Sequence, residues 1–279
     1  MDRQGFIDFN MRLSPEKSGK TDSYVRAIRI LDEVLPHQNH IDLQGHSLYD
    51  ISDLTTIDDL IDFVLEEQAK MRRQEQSIFD FGNPNQKSYP LKSFCSAALK
   101  SLRLYAQHEQ DLAADRLIAH EANPQKISKK LVDFFDLKKE GTDKVSKTKQ
   151  RRGQEYLRRM ILANYGSRCA VTSINIPQLL LAGHIVPWEK STPQQKLNPE
   201  NGICLSALYD KAFDQGLITI SPDDYTVILS SALRENETKA YYDQHFGSIS
   251  GRKITLPTEY LPNRDFLAYH RENVFQGRT

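Results

Sequence analysis

The apolar residues of this chain change their spacing part-way along, and that change limits the fold more than any other feature. Up to about Gln107 they recur with a helical period. Tyr24, Ala27, Ile28, Ile30, Leu31 and Leu35 run up to Pro36. Leu60, Ile61, Phe63, Val64 and Leu65 form one side of a stretch from Thr55 to Lys70, with Thr56 as its candidate cap. Leu91, Phe94, Cys95, Ala98, Leu99, Leu102 and Tyr105 mark a third helix over about 89–107, separated from the second by Asn83-Pro84-Asn85. A further helix, Gln154 to Tyr165, meets Gly166, a natural residue just past a helix end. After it the apolar runs shorten to Cys169-Ala170-Val171, Leu179 to Ala182 and Ile203-Cys204-Leu205, which read as strands. Ala207 to Gln215 reads as a helix closed by Gly216. Leu217 to Ile220 and Tyr225 to Leu229 flank a Ser221-Pro222-Asp223-Asp224 turn. The fold class is therefore α+β: a helical N-terminal domain, then a small unit of strand, strand and helix.

Charge divides the chain in the same way. Lys+Arg and Asp+Glu both number 37, so the net charge is zero, which argues against a basic coat protein or an acidic tail. Residues 1–125 carry 14 basic against 20 acidic side chains, 126–159 carry 12 against 5, and 160–279 carry 11 against 12. These shifts predict a domain over 1–125, a basic linker segment over 126–153 and a second domain over 154–279. Lys138 to Arg152 reads as flexible, with scarcely an apolar residue. No window approaches the ~20 apolar residues of a membrane span. The N-terminus lacks a secretory pattern. Cys95, Cys169 and Cys204 show no CxxC spacing, which excludes a disulfide framework or a Cys-rich zinc knuckle. The chain reads as cytoplasmic. His37, His40 and His46 share a polar stretch with no companion ligands and read as surface residues.

The second domain concentrates the chemistry. His184 ends an apolar strand in Ala182-Gly183-His184-Ile185-Val186-Pro187-Trp188. Asn201 follows in Asn198-Pro199-Glu200-Asn201-Gly202, and then Asp210 and Asp214 stand four apart on one helix. An i, i+4 pair shares a helical face, so both carboxylates can address one point. Two carboxylates so placed repel unless a cation or proton lies between them. Oxygen ligands favour Mg²⁺ or Mn²⁺. A histidine beside such an ion suits proton abstraction from water near neutral pH.

In order and spacing, C-A-V-T-S, A-G-H-I-V-P-W, N-P-E-N-G-I-C-L-S, L-Y-D-K-A-F-D-Q-G-L and F-L-A-Y-H-R-E-N-V-F resemble the HNH endonuclease superfamily, with its ββα-metal fold. The stretch runs from about Tyr156 to Phe275, and its closing motif resembles the branch found in bacterial restriction-type nucleases. The resemblance implies that His184 is the general base and Asn201 orients it. It also implies that Asp210 and perhaps Asp214 hold one divalent metal, Mg²⁺ or Mn²⁺, and that DNA is the substrate, with RNA not excluded. Two positions depart from the family. Gly183 stands where many members carry an acidic metal ligand, and Tyr209 stands where many carry a histidine. Tyr209 is thus a further candidate site residue, for phosphate contact or for simple packing.

Alternative readings accompany these assignments. Asp214, before Gln215-Gly216, equally suits a turn, and Asn201-Gly202 is itself a turn signal. Trp188 reads as packing beneath the site, Cys169 and Cys204 as core thiols, and His270 as a core or capping histidine. Arg151, Arg152, Arg158, Arg159 and Arg168 are candidates for nucleic-acid binding, against a solvated surface as the plain explanation. The function implied is a metal-dependent DNA endonuclease of bacterial restriction or anti-phage defence, in a homo-oligomer and with possible defence-system partner proteins. The acidic N-terminal domain would target or regulate it. The alternative is a nucleic-acid-binding protein whose HNH site has degenerated, which Gly183 and Tyr209 favour.

Overall fold

The computed structural model describes residues 1–14, 19–37, 46–137, 143–235 and 238–277. His40 and residues 138–142 of the basic stretch lie outside them. The chain forms two compact units, Met1–Arg116 and Leu117–Thr279. Among the described residues, no helix is long and apolar enough to cross a membrane.

The first unit is helical. Asp2 caps α1 (Arg3–Leu13) by accepting from the Gly5 amide at 2.8 Å. α2 (Lys20–Val34) turns Ala27, Ile28, Leu31 and Val34 inward. α3 (Leu54–Arg72) is capped by Asp53 rather than Thr56: the Thr56 amide and hydroxyl both donate to the Asp53 carboxylate at 2.8 Å. The ionised acceptor makes the stronger bond. A short α4 (Ser88–Leu91) precedes α5 (Phe94–Ile118), and Ser93 between them has a φ of 62°. The helix read over 89–107 therefore starts at Phe94 and runs further. Ile57, Leu60, Val64, Leu99 and Leu102 are fully buried in one contiguous apolar cluster with Phe6, Ile28 and Leu31.

The second unit starts from two helices. α6 (Pro124–Phe134) is capped by Asn123 with Pro124 in its first turn. α7 (Lys144–Asn164) is capped by Asp143, so the described part of the segment read as flexible is ordered helix. Its apolar residues cluster only near the C-terminal end, and that hid its first half in the sequence. β1 (Leu180–His184) and β2 (Gly202–Ser206) pair antiparallel, with His184 opposite Gly202. Between them lies α8 (Pro193–Lys196), and after them α9 (Ala207–Asp214) packs against both strands. β3 (Ile218–Ile220) and β4 (Val227–Leu229) form a separate hairpin. α10 (Ser231–Arg234), α11 (Ala240–His245) and α12 (Arg264–Asn273) complete the unit. Cys169-Ala170-Val171 is a turn, not a strand, closed by the Ser173 amide on the Cys169 carbonyl at 2.9 Å.

Polar clamps fix the connections of this unit. The Asn164 side chain accepts from the Glu259 amide at 3.0 Å and donates to the Tyr260 carbonyl at 2.9 Å. His270 on α12 stacks on Phe213 at 3.7 Å and is 1% exposed. Its Nε2 donates to the Phe213 carbonyl at 3.1 Å, which leaves Nδ1 to accept from Thr219 at 2.8 Å. Burial pushes its pKa down to about 4, so it is a neutral core residue.

Candidate active site

His184 stands at the last position of β1, half-buried, where the paired strand fixes its backbone. Its Nε2 lies 3.1 Å from the Lys196 carbonyl. A carbonyl can only accept, so Nε2 carries the proton and Nδ1 keeps a lone pair. The Trp188 ring meets the imidazole edge to face at 5.3 Å, and the Lys196 ammonium lies 5.2 Å from the centre of that indole. Burial lowers the pKa of His184, opposed by the Lys196 carbonyl and by the charge of Asp214. The imidazole is thus a neutral base at pH 7.

Asn201 is fully buried and does not touch the imidazole. Its Oδ1 accepts from the Val186 amide at 2.8 Å, and its Nδ2 donates to the Gln195 carbonyl at 3.0 Å. Its own carbonyl accepts from the Ile185 amide at 3.0 Å. Ser191 closes the same loop by donating to the Val186 carbonyl at 2.9 Å. Asn201 therefore clamps both ends of the excursion from Ile185 to Gln195. Lys196, the next residue, presents the carbonyl that meets His184. Asn201 sits one peptide removed from the histidine's partner.

Asp210, on the first turn of α9, fills space beside β1. A Cβ added to Gly183 would lie 2.7 Å from Asp210 Oδ1, closer than such atoms approach. Glycine at 183 is thus what admits the helix carboxylate to the strand. The pKa of Asp210 is pushed up to about 6, first by desolvation and then by Asp214, while Lys211 and Arg158 oppose the rise. Asp214 is exposed, yet its charge acts on both His184 and Asp210. A cleft of about 350 Å³ joins His184, Asp210, Ala182, Arg151, Gln154 and Arg158. The last three lie on one face of α7.

Residues 169–221 match the family described as HNH endonuclease, and they span both strands of this hairpin and α9. This segment belongs to the HNH superfamily. A search of curated proteins found no match.

Several residues singled out in the sequence stand apart from the cleft. Arg152 is 4% exposed, pairs with Glu155 at 2.8 Å and lies 6.0 Å from the Phe135 ring, so it is an interior residue rather than a phosphate contact. Tyr209 is buried and donates to the His245 carbonyl at 2.5 Å, with its ring against Phe246. Its hydroxyl is committed to packing and is not a site group. Arg159 lies over the Tyr156 ring at 4.8 Å, and Arg168 is exposed near the start of the matched segment. The contribution of Lys196 had no sequence signal, because every residue has a carbonyl and only the loop path selects this one. The vacancy at Gly183 was the visible trace of Asp210's position.

No group of three or more His, Cys, Asp or Glu suited to a metal forms among the described residues. Mg²⁺ commonly takes one or two carboxylates and completes its shell with water and substrate phosphate. Asp210 and Asp214 are the two carboxylates of α9. The raised pKa of Asp210 reflects first its burial and then the neighbouring charge of Asp214.

Proposed function

We propose that the HNH domain hydrolyses DNA phosphodiester bonds, with His184 as general base and Asp210 and Asp214 holding one divalent ion, Mg²⁺ or Mn²⁺. The observation that carries this reading is the Nε2 contact of His184 with the Lys196 carbonyl, which leaves Nδ1 free to take a proton from water. Asn201 acts through the loop, by keeping that carbonyl in place. Held by Asp210 and Asp214, such an ion would supply Lewis-acid stabilisation of the charge that develops in phosphodiester hydrolysis. Arginines of α7 attract the backbone, and the basic stretch that contains them serves the same end. RNA would meet the same groups and is the secondary substrate to test. We place the protein in the cytoplasm, in bacterial restriction or anti-phage defence, on the likeness of its C-terminal stretch to that branch. Cutting both strands with one site per chain calls for a homo-oligomer, and defence-system partner proteins fit the same setting. The acidic N-terminal unit would target or regulate cleavage.

A second reading, a nucleic-acid-binding protein with an inactive HNH site, draws on Gly183, which stands where many members carry an acidic ligand, and is opposed by the retained pair Asp210 and Asp214. Nicking of supercoiled plasmid with Mg²⁺, Mn²⁺ or EDTA separates the two. The expected result is metal-dependent nicking that His184→Ala lowers by about 10²–10⁴-fold. Binding without nicking by the wild type favours the second reading, and undiminished nicking by His184→Ala removes the histidine from the mechanism. The rate is also expected to fall with acid only below the ordinary 6.5 of a histidine, because burial lowers the pKa of His184.

A further inference from the structure

α7 carries four arginines, and the structure treats each differently. Arg152 is buried and paired with Glu155. Arg159 lies over the Tyr156 ring. Arg151 is exposed at the mouth of the cleft. Arg158 is half-buried and lines the same cleft as His184 and Asp210, yet its Nη1 is buried with no hydrogen-bond partner among the described residues. An unspent guanidinium N–H costs about 1–3 kcal/mol when buried, so native structures seldom keep one without use. Its charge reaches Asp210, which places the guanidinium within electrostatic range of the carboxylate.

We propose that Arg158 is the catalytic arginine of this cleft, gripping the non-bridging oxygens of the scissile phosphate opposite His184. The assignment rests on the nuclease reading above and deepens it. Three features support it. The fork of a guanidinium matches two phosphate oxygens at once, which an ammonium cannot. Negative charge on those oxygens grows as water adds to phosphorus, so a fixed cation there gains strength in the transition state. Finally, the phosphodiester would supply the acceptor that Nη1 lacks. Arg151 stands seven residues earlier on the same face, about 10 Å along the helix axis at 1.5 Å per residue. Arg151 meets the backbone beside the cut and contributes to binding, while Arg158 contributes to the chemical step.

The test separates rate from affinity. Single-turnover nicking is measured at saturating full-length protein, and affinity for a short duplex is measured in EDTA as salt is raised. Arg158→Ala is expected to lower the nicking rate by about 10²-fold, with affinity weakened by less than about tenfold. Arg158→Lys, which keeps charge but not the fork, recovers part of the rate and guards against a folding defect, checked by thermal melting. Arg151→Ala is expected to weaken affinity and flatten the salt dependence by about one unit of slope. If the wild type nicks and Arg158→Ala nicks equally fast, Arg158 is not catalytic while the nuclease reading stands. A rate loss from Arg158→Ala that is seen only below saturating protein makes it a binding residue and overturns the proposal. If the wild type nicks with no metal supplied, the reading of the site and this assignment fall together.

Discussion

Both units of this protein bury an apolar core, and they differ in what their polar side chains do: in the second, those side chains fix the loops around the candidate site. Met1–Arg116 rests on one contiguous apolar cluster, in which Ile57, Leu60, Leu99 and Leu102 are fully buried on facing helices. Leu117–Thr279 has short strands and long connections, and beside its own buried apolar residues polar side chains pin those connections: Asn164 grips 259–260, Asn201 grips 185–195, and His270 ties α12 to α9 and β3. Apolar burial is non-directional and tolerates small shifts. Hydrogen bonds are directional and fix particular atoms, as a catalytic site requires. The second unit places its site by bonds that name their partners.

The sharpest test of that contrast exchanges the kind of damage. Leu99→Ala, in the apolar cluster, is expected to cost about 2–5 kcal/mol of stability through lost burial and a cavity. Below its melting transition the nicking rate should stay within about twofold, since nothing in the cleft has moved. Asn201→Ala should do the reverse. It strips the partners from the Val186 amide and Gln195 carbonyl, at about 1–3 kcal/mol, and should lower nicking by more than tenfold as the loop releases the Lys196 carbonyl. Denaturant melts and nicking rates on the same preparations check both. An Asn201→Ala enzyme that is less stable but fully active would mean that the loop does not position His184.

The same contrast explains what the sequence made legible. α2, α3 and α5 of the first unit could be read from spacing, because a buried helix face must repeat at 3.6 residues, whereas α1, which buries only Phe6 and Asn10, went unread. Their ends were harder: Asp53 outcompeted Thr56 as a cap, and Ser93 delayed the third helix. In the second unit, the β1–β2–α9 order and the places of His184, Asn201 and Asp210 were visible, because each follows a strand or a turn with a distinct residue pattern. The first half of α7 was not, since a helix that buries little of its surface leaves no apolar period. Solvation likewise hid which arginines were structural. Arg152 and Arg158 lie six apart in similar sequence, yet one is paired in the interior and the other lines the cleft.

The smallest change bears on the most specific claim. Gly183→Ala adds one methyl group 2.7 Å from Asp210 Oδ1, so the carboxylate must withdraw from β1. Asp210 ends in a short, half-exposed side chain that can swing aside, and the stability change should stay within about 1 kcal/mol, below the usual cost of overpacking a core. If the carboxylate is a ligand whose position matters, even this shift should lower nicking by about tenfold or more and raise the metal concentration needed for half-maximal rate, because geometry errors near 1 Å are costly at such sites. Gly183→Asp restores the residue type common in the family but should perform worse than Gly183→Ala, since it adds a like charge in space already occupied by Asp210. Full activity in Gly183→Asp would show instead that the strand position can still serve as a ligand. Asp210 would then be a neighbour of the ion and not its holder.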